Sequence, residues 1–150
     1  MLSDSTILEL IKNGKLVIEN FIEDNITPNG YDVRVDEIFV EGLNNTFNIG
    51  SKKFFIVSTI EYFKFPEDIA GQIWLRTTWA RKGIITGAGL IDAGFEGKLN
   101  IMSFNSSEKD LRIERGERYA QVIFIRLDKK PILPYGKRSG HYFGQSGIIR

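Results

Sequence analysis

Gly89-Leu90-Ile91-Asp92-Ala93-Gly94-Phe95-Glu96-Gly97 runs directly into Lys98-Leu99-Asn100-Ile101-Met102-Ser103-Phe104-Asn105, and this join sets the reading of the fold. A glycine-rich turn carrying one carboxylate is followed by a run with strand chemistry. Glycine lets main chain adopt tight or left-handed geometry and approach a planar ligand closely. An acid in such a turn, with apolar neighbours that limit water, is a candidate general base. Asp92 is that acid.

The same alternation of turn and short strand recurs on both sides. Lys15 to Ile18, Tyr31 to Val35, Glu37 to Val40, Phe54 to Thr59 and Gly71 to Leu75 precede the opening stretch. Leu111 to Ile113 and Tyr119 to Leu127 follow it. These runs are rich in β-branched and aromatic residues and are punctuated by Asn, Pro and Gly. Only the N-terminus reads as helix. Ser3 can cap it, Asp4 suits its first turn, and Leu2 with Ile7 has hydrophobic-staple spacing. Ile7, Leu8 and Ile11 form its apolar stripe, and Gly14 ends it. Many short strands after one short helix predict a mainly all-β antiparallel barrel or jelly roll. Residues 1–133 are expected to form that barrel domain. Residues 134–150, rich in Gly, Ser and basic side chains, are expected to form a flexible C-terminal arm.

Composition narrows the chemistry. The 150 residues suffice for one domain with a real core. A formal net charge of +1 gives no global pull toward nucleic acid or membrane. The start does not resemble a signal peptide, and no apolar run is long enough to span a bilayer, so a cytoplasmic location is expected. There is no cysteine and one histidine, which leaves almost no ligands for zinc and removes base deamination by a His/Cys/Cys site. A metal, if used, is expected to be a hard ion held by oxygen, such as Mg²⁺.

Three further clusters carry possible chemistry. Arg76-Thr77-Thr78, with Arg81-Lys82-Gly83 just beyond, offers hydroxyls, amides and guanidinium groups to phosphate oxygens. Taken alone, a capped turn on a charged surface explains it slightly better. Arg115-Gly116-Glu117-Arg118-Tyr119-Ala120-Gln121 reads as a hairpin tip entering a strand. Tyr142-Phe143-Gly144-Gln145-Ser146-Gly147 places aromatics in the arm, where they could pack on a neighbour or close over a ligand.

Together, and in this order, these segments resemble the superfamily of homotrimeric dUTPases and dCTP deaminases. Gly30-Tyr31-Asp32-Val33 resembles its first motif, Arg76 to Gly83 the second with threonines in place of two serines, and Gly89 to Gly97 the third. Arg115 to Gln121 resembles the fourth motif and Tyr142 to Gly147 the fifth; Met1-Leu2-Ser3-Asp4 with its helix looks like the deaminase branch. The resemblance implies a homotrimer with sites at subunit interfaces, a nucleotide ligand, no nucleic-acid or membrane partner, and Mg²⁺. It implies that Asp92 activates water for attack on the α-phosphorus and that Phe95 packs under the deoxyribose. Substrate binding would fall to Arg76, Thr77, Thr78, Arg81, Gly89, Phe95, Gln121, Tyr142, Phe143 and Gln145. Asp32 would hold the metal environment through water.

The choice of branch rests on two positions. The deaminases carry a proton-shuttling glutamate ten residues beyond the third-motif aspartate, where this chain has Met102. Phe143-Gly144 matches the dUTPase lid over uracil. Both point to dUTP as substrate and to hydrolysis of dUTP to dUMP and pyrophosphate. The alternatives are a dCTP deaminase, a bifunctional enzyme taking dCTP to dUMP, and a non-catalytic dNTP-binding protein.

Overall fold

The computed structural model describes residues 1–43, 46–87, 89–133, 135–138 and 144–148. Tyr142, Phe143 and His141 lie outside the described residues. The elements in order are α1 (Asp4–Lys12), β1 (Val17–Glu19), β2 (Ile26–Thr27), β3 (Gly30–Val40), β4 (Asn48–Ile49), β5 (Phe54–Lys64) and β6 (Ile69–Leu75). They continue with α2 (Thr77–Ala80), β7 (Ile84–Thr86), β8 (Leu90–Ile91), β9 (Glu96–Asn105), β10 (Leu111–Arg112), β11 (Arg118–Arg126) and α3 (Tyr135–Arg138). The mainly β expectation holds.

Strands pair in the order β7-β9-β5-β3-β11-β6-β8, with β1 added to β5 and β2 to β3, and every pairing is antiparallel. The two end strands, β7 and β8, are joined only through residues 87–89. Four chain steps reach at most ~14 Å. The sheet must therefore curl until its ends approach, giving an open barrel.

Burial follows the strand period until bulges shift it. On β3 the register slips between Val35 and Glu37. The inward set accordingly changes from Tyr31, Val33 and Val35 to Ile38 and Val40. Such a bulge adds one residue and re-aims every side chain beyond it. On β9 the inward residues Leu99 and Ile101 meet the core, while Lys98, Asn100 and Met102 face outward.

Helix α1 closes one end of the barrel through Ile7 and Leu10. Gly14 follows at φ +71°, donating its amide to Ile11 O at 3.1 Å. Ser3 occupies the cap position, but its hydroxyl meets those of Ser5 (2.9 Å) and Thr6 (3.2 Å) and makes no cap bond to the helix backbone. The Glu61 side chain is fully buried. The Glu61 carboxylate accepts from the Arg34 amide at 2.9 Å and Arg34 Nε at 2.7 Å, which keeps it paired inside the barrel.

Candidate functional site

β11 lies between β3 and β6, and one lateral row across the three strands holds Asp32, Gln121 and Trp74. Directly opposed residues share a sheet face. Just beyond this row β6 ends at Leu75, and the chain turns through extended Arg76 into the single turn of α2. Arg76 N donates to Tyr119 O at 3.1 Å, and the buried Trp79 donates its indole N–H to Arg118 O at 2.9 Å. Lys82 sits 4.3 Å above the Trp79 ring. These contacts lock the turn against the start of β11.

The result is an open cleft of about 270 Å³ lined by Asp32, Leu75, Arg76, Thr77, Thr78 and Gln121. The Asp32 carboxylate, 7% exposed, lies 3.1 Å from Arg76 Nε and 3.8 Å from Arg118 Nη1. Burial pushes its pKa above the usual carboxylate value, outweighing the two guanidinium groups that pull it down. Two hydroxyls and two partly exposed guanidinium groups make the cleft suited to a phosphate chain. The sequence reading set Arg76, Thr77, Thr78 and Gln121 at the substrate and Asp32 apart at the metal; the structure brings all five to one cleft. The sequence reading gave no role to Arg118, whose place is legible only once β11 is docked beside β3. Arg81 ends the α2 turn, exposed, and does not line the cleft.

A hard-cation site does not fit here. Among the described residues no three potential metal ligands of the Asp, Glu, His or Cys type come together. Asp32 is a single carboxylate already facing two guanidinium groups.

Asp92 sits elsewhere. It follows β8, whose Ile91 pairs with Gly71 near the start of β6, whereas Arg76 follows the end of β6. Six residues of strand correspond to ~20 Å. One chain therefore places Asp92 and the phosphate-type cleft at opposite ends of β6. The Asp92 side chain is exposed, and its carbonyl accepts from Phe95 N at 3.0 Å in the turn that Gly94, at φ +81°, completes. Phe95 is buried, edge-on to Tyr135 at 5.8 Å. Gly97 leaves room for it, since a Cβ there would lie 3.1 Å from Phe95 Cζ. Gly89 is exposed and its carbonyl accepts from Ile73 N at 3.1 Å.

Met102 is half exposed on the outer face of β9, with its carbonyl accepting from Gly87 N at 2.9 Å. Of the two acids six residues from Met102 in sequence, Glu108 pairs with Lys52 at 2.7 Å, while Glu96 accepts from the Tyr62 hydroxyl at 3.1 Å and pairs with Lys64 at 3.0 Å. Six strand residues, ~20 Å, separate Glu96 from Met102. Residues 144–147 lie along the same strand. Gly144 N donates to Glu96 O at 2.7 Å, and Lys98 N donates to Gln145 O at 2.9 Å. The Gln145 amide bonds Lys98 O, so in this chain it serves β9 and not the cleft.

Fold and cleft together define a class: antiparallel β-barrel proteins with a turn rich in hydroxyl and guanidinium groups at one end of a strand and a carboxylate turn at the other. The dCTP deaminase-like family matches residues 35–127. A dCTP deaminase of Pyrococcus horikoshii is 34% identical over 142 residues, covering 90% of this chain and 89% of that protein. A dUMP-forming dCTP deaminase of Aquifex aeolicus is 31% identical over 169 residues, covering 99% and 92%. Among solved structures, the dCTP deaminase of Agrobacterium tumefaciens matches with TM-score 0.71 at 19% identity, over 82% of this chain and 47% of that one. The dUTPase of the Staphylococcus aureus phage phi11, which coordinates a structural Mg(II) ion, matches with TM-score 0.60 at 17% identity over 79% and 94%. The chain belongs to the dCTP deaminase-like family.

This corrects the expectation of dUTP hydrolysis as the principal reaction. The relatives with 31–36% identity over most of the chain are dCTP deaminases. Both branches share the five motifs, so Met102 and Phe143 alone carried that expectation. Two positions weigh less than likeness spread over some 140 residues.

Proposed function

We propose that this protein deaminates dCTP by hydrolysis at C4 of cytosine and carries the product on to dUMP. The observation that carries the reading is the end-to-end similarity to a dUMP-forming dCTP deaminase, in a chain whose cleft suits a triphosphate. Arg76, Thr77, Thr78 and Gln121 hold the phosphates, with Arg118 adding charge. Phe95 and Gly89 shape the sugar and base side of the turn around Asp92. Asp92 orients or activates water. Forming dUMP from dCTP takes two waters: one replaces the C4 amino group, which leaves as ammonia, and one cleaves the α-phosphorus bond, releasing pyrophosphate.

The distance between Asp92 and Arg76 within one chain supports a site completed by a second copy, in a trimer. Residues 134–150, with Tyr142 and Phe143, form the arm that closes it over the ligand. Mg²⁺ would arrive with the triphosphate, since the described residues offer it no cluster of their own.

Incubation with dCTP, following ammonia and separating the nucleotides, tests the reading. Ammonia should appear in step with loss of dCTP, and the product should be dUMP. Recovery of intact dCTP after prolonged incubation would sink it.

A further inference from the structure

We propose that Thr27 is a positioning residue for the nucleotide cleft: its hydroxyl holds the side-chain amide of Gln121 in the cleft wall. The proposal rests on the cleft being the nucleotide site. Thr27 does not line the cleft, and no motif contains it. It ends β2, paired with Gly30 across the two-residue Pro28-Asn29 turn that leads into β3. From there its Oγ1 is hydrogen-bonded to Gln121 Nε2, linking residues far apart in the chain.

Three neighbours fit the turn to this task. Gly30 is needed for close approach: a Cβ there would lie 2.5 Å from Val122 O and 3.1 Å from Gln121 Cγ. The missing side chain lets the hairpin press on β11 beside the Gln121 stem. Asn25, 5% exposed and just ahead of β2, donates its amide to Asp32 O at 3.1 Å. Asp4 N donates to Pro28 O at 3.1 Å, so α1 anchors the turn from the other side. Residues 25–30 thus brace two of the cleft-lining side chains, Asp32 through its backbone and Gln121 through its amide. Freed of Thr27, Gln121 would sample several rotamers, and ligand binding would have to order it again.

The test is a double-mutant cycle on dCTP affinity, measured by calorimetry with Thr27→Val, Gln121→Ala and the pair. Thr27→Val should weaken dCTP binding about tenfold, the scale of one hydrogen bond's contribution. Thr27→Ser should restore it to within about twofold. In the Gln121→Ala background, Thr27→Val should add nothing. Under turnover the loss should fall on KM with kcat unchanged. Thr27→Ala takes the same place in the cycle if the valine variant does not fold. Unchanged affinity in Thr27→Val, a loss that serine leaves unrestored, or full additivity with Gln121→Ala would overturn the proposal. Wild-type protein that binds dCTP without deaminating it overturns the proposed function alone. Wild-type protein that binds neither dCTP nor inorganic tripolyphosphate overturns both.

Discussion

Met102 faces outward from β9 beside the segment that follows β7, and a thioether neither takes up nor releases a proton. Under the proposed function, deamination then has no carboxylate at position 102 to carry its proton transfers. General acid–base help is typically worth ~10²–10⁴-fold. Met102→Glu should therefore raise the rate of ammonia release from dCTP by about 10²-fold. Glutamate is about as long as methionine, and the half-exposed position holds it without burying a charge. A rate equal to or below wild type, in a variant with unchanged melting temperature, would show that position 102 does not face the reacting base. Asp92→Asn should cut dUMP formation by at least ~10²-fold while leaving the dCTP Kd within a few-fold, since the amide keeps the shape but loses the basic oxygen. Steady-state product analysis beside calorimetry separates these effects.

At the scale of elements, the β3 bulge does more than shift phase. It brings Asp36 to Lys98 Nζ on β9 at 2.6 Å and Arg115 Nη2 in the turn before β11 at 2.8 Å. Burial works to raise the Asp36 pKa, but hydrogen bonds from Lys98 and Arg115, with their charges, outweigh it and hold it below 3.8. A lowered folded pKa contributes stability above the unfolded value and loses it as pH falls through the folded one. Asp36→Asn should cost about 1 kcal/mol at pH 7, most of it from the less exposed Lys98 pair. The gap between variant and wild type should close as pH drops below 3.8, read by urea unfolding across that range. A gap that persists at low pH would assign the loss to packing and not to charge.

These elements also show what sequence can and cannot carry. The strand ending at Leu75 before Arg76-Thr77-Thr78 was legible because β-branched and aromatic residues give way to turn chemistry there. So was the extent of α1, although Ser3 makes no cap bond and Leu10, not Leu8, is buried with Ile7. β5 extends to Lys64, beyond the expected Thr59, because pairing with β1 and β9 holds residues that local pattern does not mark. The short strands β2, β4, β7 and β8 exist only through their partners. Arg118 and Thr27 escaped notice for the same reason: their roles arise from strands brought side by side, not from spacing along the chain. The branch was misread because a missing glutamate is conspicuous locally, while likeness to dCTP deaminases is spread thinly over the whole chain.

For the whole molecule, the separation of Asp92 from Arg76 along β6 makes a sharp demand. If the site is shared between copies, Asp92→Asn and Arg76→Ala chains should each be nearly inactive alone. Mixed by unfolding and refolding together, they should recover part of the dCTP turnover, because some interfaces then hold both intact residues. Light scattering should report a trimer for wild type and both variants. No recovery in a mixed trimer would place both groups in one chain's site and contradict the described geometry. The account as a whole turns on two bonds broken in one nucleotide, and oxygen labelling reads both. After reaction of dCTP in water enriched in ¹⁸O, mass spectrometry should find dUMP bearing one heavy oxygen on C4 and one on phosphorus. Unlabelled dCTP returned intact, or a product labelled on phosphorus but still bearing the C4 amino group, would contradict the account.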